Sequence, residues 1–355
     1  MRFTNLQALR ILGAGIVLLC HLRHFAHDRM GLSSSLLDWI YDYLSAPTLA
    51  VFFAMSGFVL VHSLRTVSAK QFILNRLVRV FPAYWIAVAV AIALKTAQGN
   101  RFFWDNRLIP GLLLVPVGVG NADYRLGVEW TLVFEVFFYA ALGLMLVVSR
   151  RFGPTVGPLA WLAGVLAAAI VREPGVYDPL PTVTQIAFSP LTAPFLLGAL
   201  AVHLLRFPEL LRQAAPVLAP TLFAVSKLIP RWDWSAIVVG VAAALFVAWA
   251  AVARQLAAES PLVVYGDWSY GVYLLHVPVL TAVMDVLLHK NRAYPSWDLV
   301  AVAGFAALLV GLTFGRFESA LYRRLRSLVR RRPAAAPEPT ILKLPTVPIR
   351  RAQAA

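Results

Sequence analysis

Long apolar stretches separated by short polar loops make up most of this chain. Ten of them, each about 17 to 25 residues long, can be placed without overlap, and each is long enough to cross a bilayer. They cover residues 6–25, 45–63, 80–97, 128–148, 156–171, 185–205, 214–229, 235–253, 263–285 and 297–317. The stretch Leu108 to Val119 is shorter and contains Pro110 and Pro116, which favours an interfacial or re-entrant segment. The pattern predicts an all-α polytopic membrane protein with about ten transmembrane helices.

The composition supports a membrane protein. Of the 355 residues, 60% are hydrophobic and 14% are charged, and the mean hydropathy is +0.72. Soluble domains carry about 25% charged residues. No small-residue cleavage site follows the first apolar stretch, so we expect that stretch to be retained and not removed as a signal peptide. Cys20 is the single cysteine, which excludes an intramolecular disulfide.

Charge predicts the orientation and the domain limits. With both termini in the cytoplasm of a plasma (inner) membrane, 20 Lys and Arg residues lie on the cytoplasmic side and 11 on the opposite side, as the positive-inside rule requires. We expect residues 1–320 to form one transmembrane domain. Residues 321–355 should form a basic, Pro- and Ala-rich disordered cytoplasmic tail. Such a charge run could bind nucleic acid, but anionic membrane lipid is a sufficient partner, and we expect no nucleic acid.

Two ionisable residues lie inside the first stretch, Leu6 to Phe25. Arg10 and His21 are eleven residues apart, which is within about 20° of three helical turns, so both project from one face about 16 Å apart. An arginine costs about 2.5 to 3.5 kcal/mol inside a span and should face protein, water or an anion. Gly13 and Gly15 lie between them and permit close approach of a helix or a ligand. We expect the two side chains to share one path between the membrane faces, with His21 as the candidate base.

Other polar residues near the predicted spans are candidates, each with a structural alternative. Arg76 and Arg79 are three residues apart and share a helix face, where their forked guanidinium groups suit phosphate, although a pair that only sets topology would look the same. Glu135 lies about two turns inside a span, which indicates a protonated, hydrogen-bonded or paired carboxylate; it is either a catalytic group or the partner of an intramembrane arginine.

Small and aromatic polar residues complete the candidates. Ser56 lacks the flanking glycines of a nucleophile elbow, so helix packing is the favoured interpretation. Tyr270, Tyr273 and His276 recur every three residues and form a polar ridge, which either lines a substrate site or is satisfied by neighbouring helices. The seven histidines are scattered and lack ligand-spaced carboxylates, so we expect no metal site.

In this order, these stretches make the chain resemble the acyltransferase 3 family of integral membrane acyltransferases, in particular its exopolysaccharide-acetylating branch. The matching motifs are Arg10 followed after ten residues by His21, Phe52-Phe53-x-x-Ser56-Gly57-Phe58, Arg76-x-x-Arg79 with Pro82-x-Tyr84-Trp85, Trp130-Thr131-Leu132-x-x-Glu135-x-x-Phe138-Tyr139, and Ser269-Tyr270-x-x-Tyr273-x-x-His276-x-Pro278. The chain departs from many relatives at Gln7 and Ala8, where an acidic residue and glycine are common, and at Thr131, where Ser is commoner.

The resemblance implies transfer of an acyl group, usually acetyl from cytoplasmic acetyl-CoA, to a sugar hydroxyl of a surface or exported glycan. It implies that His21 is the catalytic base or acyl-handling residue, that Arg10, Arg76 and Arg79 bind the donor, and that Glu135 assists. Ser56, Tyr139, Tyr270, Tyr273 and His276 are then candidates for lining the substrate site. No bound cofactor is expected. Acyl-CoA, a carbohydrate acceptor, membrane lipid and glycan-assembly proteins are the expected partners.

A transporter or flippase for a lipid-linked glycan is the main alternative, because intramembrane Arg, His and Glu also mark ion-coupled pathways. That class of protein has inverted repeats and paired broken helices, and the sequence shows no convincing internal symmetry. A receptor-like or structural role is a third alternative.

Overall fold

A computed structural model describes residues 3–64, 68–101, 103–118, 120–148, 153–172, 182–290 and 294–330. Twelve α-helices account for nearly all regular structure in these ranges. They are α1 (Thr4–Met30), α2 (Ser35–Ser63), α3 (Ala69–Ala97), α4 (Leu108–Leu113), α5 (Glu129–Val148), α6 (Gly153–Val171), α7 (Val183–Ala187), α8 (Ala193–Ala201), α9 (Pro208–Ser226), α10 (Trp232–Val252), α11 (Pro261–Asp285) and α12 (Trp297–Arg330). Short 3₁₀ turns flank α8, and a π-helical turn follows α11.

The all-α polytopic fold is confirmed. Within the described ranges, eight helices are long and apolar enough to cross a membrane: α1, α2, α3, α5, α6, α10, α11 and α12. The sixth predicted span, 185–205, is divided among α7, α8 and their 3₁₀ turns, and its longest continuous helical part is Pro190–Arg206. The seventh, 214–229, overlaps α9, which contains Pro216 and Pro220. Among the described residues, eight of the ten predicted spans are therefore long apolar helices, the sixth is divided, and the seventh coincides with α9, which has 19 residues but is not one of the eight.

Small residues bring α2 and α8 into backbone contact. A Cβ at Gly57 of α2 would overlap the carbonyl oxygen of Phe195, and a Cβ at Gly198 of α8 would overlap that of Ala54. Without side chains at these two positions the helix axes can approach closely, as small residues allow in membrane proteins. The packing interpretation of the Ser56-Gly57 patch therefore holds for its glycine.

Close approach at glycine positions also packs α11 against α1 and α12. A Cβ at Gly266 would overlap the carbonyl oxygen of Gln7 on α1, and one at Gly271 would overlap the backbone of Gly315 on α12. Farther along α1, His21 contacts His276 of α11. The contact nearer the start of α1 is also the one nearer the start of α11. The two helices therefore run parallel, with their N-terminal ends on the same side.

The segment after α3 turns back into the protein. The Tyr84 hydroxyl donates a hydrogen bond to the carbonyl of Gly111 (2.8 Å), and the Trp85 indole donates one to the carbonyl of Leu112 (2.9 Å). Trp85 lies twelve residues before the end of α3, which is about 18 Å of helix. This depth supports the re-entrant interpretation of the segment that begins at Leu108.

A buried carboxylate fixes the start of α5. Glu129 is 1% exposed, and its side chain accepts hydrogen bonds from the backbone N–H groups of Arg125 (2.6 Å), Leu126 (2.5 Å) and Val128 (3.1 Å). Backbone donors at a helix start have no partner within the helix, and an acidic side chain there satisfies them. Glu129 thereby ties the preceding loop to the helix that carries Glu135.

The last helix extends farther than the sequence predicts. Helix α12 continues to Arg330, so the first ten residues of the predicted tail are helical. The rest of that tail, from residue 331, lies outside the described residues, as does Arg65 of the predicted cytoplasmic set. This extension places Glu318, which follows directly after the predicted end of the last span, inside the helical bundle.

Candidate active site

Charged residues from four helices meet near the N-terminal ends of α1 and α11. We call Arg10, Arg76, Arg79, Glu135 and Glu318 the arginine cluster. Arg10 is in electrostatic contact with Arg79, Glu135 and Glu318. Three guanidinium groups against two carboxyl groups leave an excess of positive charge, which suits an anionic ligand. The structure thus places the four charged candidate residues, Arg10, Arg76, Arg79 and Glu135, in one cluster.

Arg76 is held by aromatic rings. Its guanidinium carbon lies 5.7 Å from the ring centroids of Phe72 and of Tyr139, within the range of a cation–π contact. The Tyr139 hydroxyl donates a hydrogen bond to Glu135 and is also hydrogen-bonded to Ser56. The Nε of Arg76 is buried and has no hydrogen-bond partner among the described residues. Arg76 is half-buried against these rings, and its role in donor binding stays a prediction.

Arg79 has a carboxylate partner that the sequence analysis missed. It forms an ion pair with Glu318 of α12, whose side chain is 1% exposed. Its guanidinium also lies 5.2 Å from the ring centroid of Tyr270 and 5.0 Å from that of Tyr322. Glu318 follows directly after the last predicted span, at the end of the predicted transmembrane domain, and was not among the candidate residues. Apolar residues continue at helical spacing beyond Phe317 through α12. This pattern in the sequence could have shown that the helix continues past Glu318.

His21 lies at the opposite end of α1, where it meets His276 of α11. The two imidazole rings are 4.9 Å apart between centroids and inclined by 58°. We call these two residues the histidine pair. His276 is 1% exposed, and its Nδ1 lies 3.0 Å from the carbonyl oxygen of Val272 and 2.8 Å from that of Tyr273. The structure thus joins the first motif of the chain to the last.

The tyrosines of the α11 ridge are satisfied by neighbouring backbone. The Tyr270 hydroxyl donates to the carbonyl of Val80 (3.4 Å), and the Tyr273 hydroxyl donates to the carbonyl of Val128 (2.5 Å) and is hydrogen-bonded to Thr131. Neighbouring helices and loops therefore satisfy these two members of the ridge. His276 differs from them, because its Nε2 is buried with no hydrogen-bond partner among the described residues.

The glycines between Arg10 and His21 do not share one environment. A Cβ at Gly13 would lie 2.7 Å from the Phe52 ring of α2, whereas a Cβ at Gly15 would have no atom within 4 Å. Gly13 is a helix-packing position. Of the two alternatives that the sequence left open, close approach of a helix is the one found at Gly13, and Gly15 keeps open space beside it.

A cavity of about 280 Å³ opens on the loop between α3 and α5. Charged residues dominate its lining: Arg101, Asp105, Arg107, Asp123 and Arg125, with Phe103 and Ala122. The hydrogen bond from Arg107 lowers the pKa of the Asp105 carboxyl, and Asp105 in turn raises the pKa of the Arg107 guanidinium. The loop contacts α11 at Gly127, where an added Cβ would lie 3.1 Å from Val277.

The described residues contain no group of three or more His, Cys, Asp and Glu side chains placed to hold a metal ion. The chemistry available at the two polar centres is therefore that of guanidinium, carboxyl, phenol and imidazole groups. A cluster of guanidinium groups and an imidazole that share helix α1 can bind a charged donor and accept a proton.

One relative among known proteins matches along nearly the whole chain. The acyltransferase MdmB of Streptomyces mycarofaciens is 28% identical over 388 residues, which cover 97% of this chain and 97% of that protein. Nodulation protein 10 of Rhizobium leguminosarum bv. viciae is 29% identical over 204 residues, or 51% of this chain and 55% of that protein. Exopolysaccharide production protein ExoZ of Rhizobium meliloti (strain 1021) is 33% identical over 135 residues, or 36% and 43%. No solved structure matches significantly.

A family model described as an acyltransferase domain matches residues 3–316. The match begins just before α1 and ends within α12, so it includes the histidine pair and every member of the arginine cluster except Glu318. On this coverage, the chain belongs to the acyltransferase 3 family and is a multi-pass membrane acyltransferase.

Proposed function

We propose that this acyltransferase moves an acyl group, in the first place acetyl, from acyl-CoA to a sugar hydroxyl of a surface or exported glycan. The observation that carries the proposal is the arrangement of two polar centres along one helix, α1, which contributes a residue to each. The arginine cluster holds Arg10 of α1, and the histidine pair holds His21 of α1 and His276 of α11. About 16 Å of helix separates Arg10 from His21.

The arginine cluster is the proposed donor site. Coenzyme A is an anion with several phosphate groups, and guanidinium forks match phosphate oxygens in geometry as well as charge. An extended pantetheine arm has a length comparable to the separation of the two centres. A donor whose phosphates stay at Arg10, Arg76 and Arg79 could therefore present its thioester to His21. We assign Glu135 to this donor end, where it orients Tyr139 and balances the guanidinium charge.

The histidine pair is the proposed reaction site. His21 removes the proton of the acceptor hydroxyl as the oxygen attacks the thioester carbonyl carbon. The tetrahedral intermediate then breaks its C–S bond, and the departing thiolate takes a proton from the His21 imidazolium. The products are an ester and free coenzyme A, and the histidine returns to its neutral form. None of these steps requires redox chemistry or a metal ion.

The acceptor class and the orientation are the remaining parts of the proposal. One relative is named for exopolysaccharide production, which supports a glycan acceptor here. The excess of Lys and Arg on one side supports a plasma (inner) membrane orientation with both termini cytoplasmic, so that the arginine cluster faces the compartment that holds acyl-CoA. Membrane lipid would contact the basic tail, and glycan-assembly proteins would deliver or receive the acceptor.

Purified protein in nanodiscs with acetyl-CoA provides the test. We expect release of free thiol that depends on a glycan acceptor, with O-acetyl groups on that glycan detected by mass spectrometry. His21→Ala should abolish release without loss of membrane insertion, because an apolar replacement carries no insertion penalty. His24→Ala is the matched control, since the His24 side chain is 61% exposed at the same end of α1.

Full turnover by a correctly inserted His21→Ala protein would refute the role of His21. Movement of a lipid-linked glycan across the bilayer without consumption of acyl-CoA would instead favour the flippase alternative, and with it a different use of the same charged residues.

A further inference from the structure

The two ring nitrogens of His276 have different partners. Nδ1 faces two backbone carbonyl oxygens, those of Val272 and Tyr273, at 3.0 and 2.8 Å. Carbonyl oxygens only accept hydrogen bonds, so Nδ1 carries the proton of the neutral ring. Nε2 is then left with a lone pair, and it is buried without a partner among the described residues. A buried acceptor of this kind costs free energy unless a donor reaches it.

His21 is the group placed to be that donor. A hydrogen bond of ordinary length between two imidazole nitrogens puts the ring centroids about 5 Å apart, and the centroids of the two rings are 4.9 Å apart. The hydroxyl of Tyr273, the other polar group near His276, already donates to the carbonyl of Val128 at 2.5 Å. The His21 ring is therefore close enough for one of its ring N–H groups to reach Nε2 of His276 if the ring reorients.

We propose that His276 is a positioning residue that accepts, through Nε2, a hydrogen bond from the ring N–H of His21. This contact fixes the tautomer of His21, so its other ring nitrogen carries the lone pair and faces the acceptor hydroxyl. The inference rests on the proposed function of His21. It also gives α11 a defined task in the reaction, beyond lining the substrate site.

The contact acts at each stage of the transfer. When His21 takes the hydroxyl proton, the N–H directed at His276 belongs to an imidazolium, and its hydrogen bond strengthens because the donor is charged. The new proton is held on the far nitrogen, from which it passes to the sulfur of the leaving thiolate. The bond broken is the thioester C–S bond, the bond formed is the ester C–O bond, and His276 neither gains nor loses a proton.

Two amide substitutions separate this role from simple packing. The side chain of Gln reaches the position of Nε2 and can present an oxygen to His21, whereas that of Asn ends near the position of Nδ1. His276→Asn can therefore satisfy the carbonyls of Val272 and Tyr273 without reaching His21. Both variants place an uncharged polar group of similar size in the same buried site.

We expect His276→Asn to lower kcat by about 10²-fold, the lower limit for loss of a correctly oriented general base, with KM for acetyl-CoA unchanged. His276→Gln should retain most of the wild-type kcat. Equal kcat in the two variants, with equal thermal stability, would overturn the proposal. A change in the KM for the donor without a change in kcat would do the same.

Nitrogen NMR of ¹⁵N-histidine-labelled wild-type protein gives a test that needs no variant to fold. The expected result is His276 protonated at Nδ1 and His21 bearing an N–H that is hydrogen-bonded to Nε2 of His276. Protonation of His276 at Nε2 would overturn the proposal. This readout does not depend on turnover, so absence of acyl transfer by the wild-type protein would refute the proposed function and leave the pairing to be decided separately.

Discussion

Glu318 of α12 forms a buried ion pair with Arg79 of α3, 239 residues away in the chain. The other carboxyl oxygen of Glu318 is buried without a hydrogen-bond partner among the described residues, and Arg10 is in electrostatic contact with the same carboxylate. One acidic side chain therefore balances two of the three arginines proposed to bind the donor. The Glu318 carboxylate therefore lies beside two arginines, where a phosphate group of the donor would also be stabilised.

Glu318→Gln should destabilise the protein and make it more responsive to the donor. Removing one partner of a buried pair costs about 3 to 5 kcal/mol, because the remaining charge is left uncompensated. Coenzyme A supplies replacement negative charge, so it should raise the melting temperature of the variant more than that of the wild type in a thermal shift assay. Glu209→Gln is the control, since Glu209 pairs with Arg212 at an exposed site. An equal response to coenzyme A in both proteins would contradict the prediction.

Replacement of Arg76 and Arg79 by Lys should weaken acyl-CoA binding. Lysine keeps the charge but loses the planar fork that matches phosphate and stacks on the rings of Tyr139 and Tyr270. Equilibrium binding of a non-hydrolysable acyl-CoA analogue would measure the loss, and Arg212→Lys provides a matched control. Unchanged affinity in the double variant would show that these arginines only set topology.

Gly13→Leu should destabilise the protein through Phe52. Extra methylene groups in a well-packed interior cost about 1 to 3 kcal/mol, and the Phe52 ring occupies the space beside Gly13. Gly15→Leu is the control and should be tolerated, because that position is open. Adding Phe52→Ala to Gly13→Leu should restore part of the lost melting temperature. No recovery in the double variant would mean that the clash lies elsewhere.

Glu129→Gln should weaken the loop that precedes α5. An amide offers a single acceptor oxygen and brings an NH₂ group toward the backbone N–H groups that now bind the carboxylate. The expected cost is about 1 to 3 kcal/mol, as for other buried groups that lose their hydrogen bonds, and it should appear as faster amide exchange in residues 125–128. Glu259→Gln, at an exposed position, should leave that exchange unchanged.

The sequence alone predicts which residues of a single helix share a face. Arg10 and His21 lie on α1, and helical periodicity alone puts them on one face. Periodicity cannot show which other helix meets that face, so the contact between His21 and His276 was not predictable. It depends on close packing of α1 against α11 at Gly266 and Gln7, which are far apart in the chain.

Span boundaries caused the other differences. Hydropathy set the end of the last span at Phe317, so the carboxylate one residue later was not considered as an intramembrane partner of an arginine. The sixth span is mostly apolar, yet the structure divides it, and the backbone changes from α7 to a 3₁₀ turn where Pro190 follows Ser189. Mean hydropathy does not distinguish a continuous helix from a broken one when a break needs only a Ser-Pro pair.

The contacts of α11 and α12 with α1 also affect the biosynthesis of the protein. The ribosome makes Arg10, Arg76 and Arg79 early, whereas His276 and Glu318 are in the last two helices to be synthesised. Until those helices enter the bilayer, the early arginines lack their carboxylate on α12 and His21 lacks its imidazole neighbour. A nascent chain that has not yet inserted α11 and α12 therefore holds neither centre in finished form.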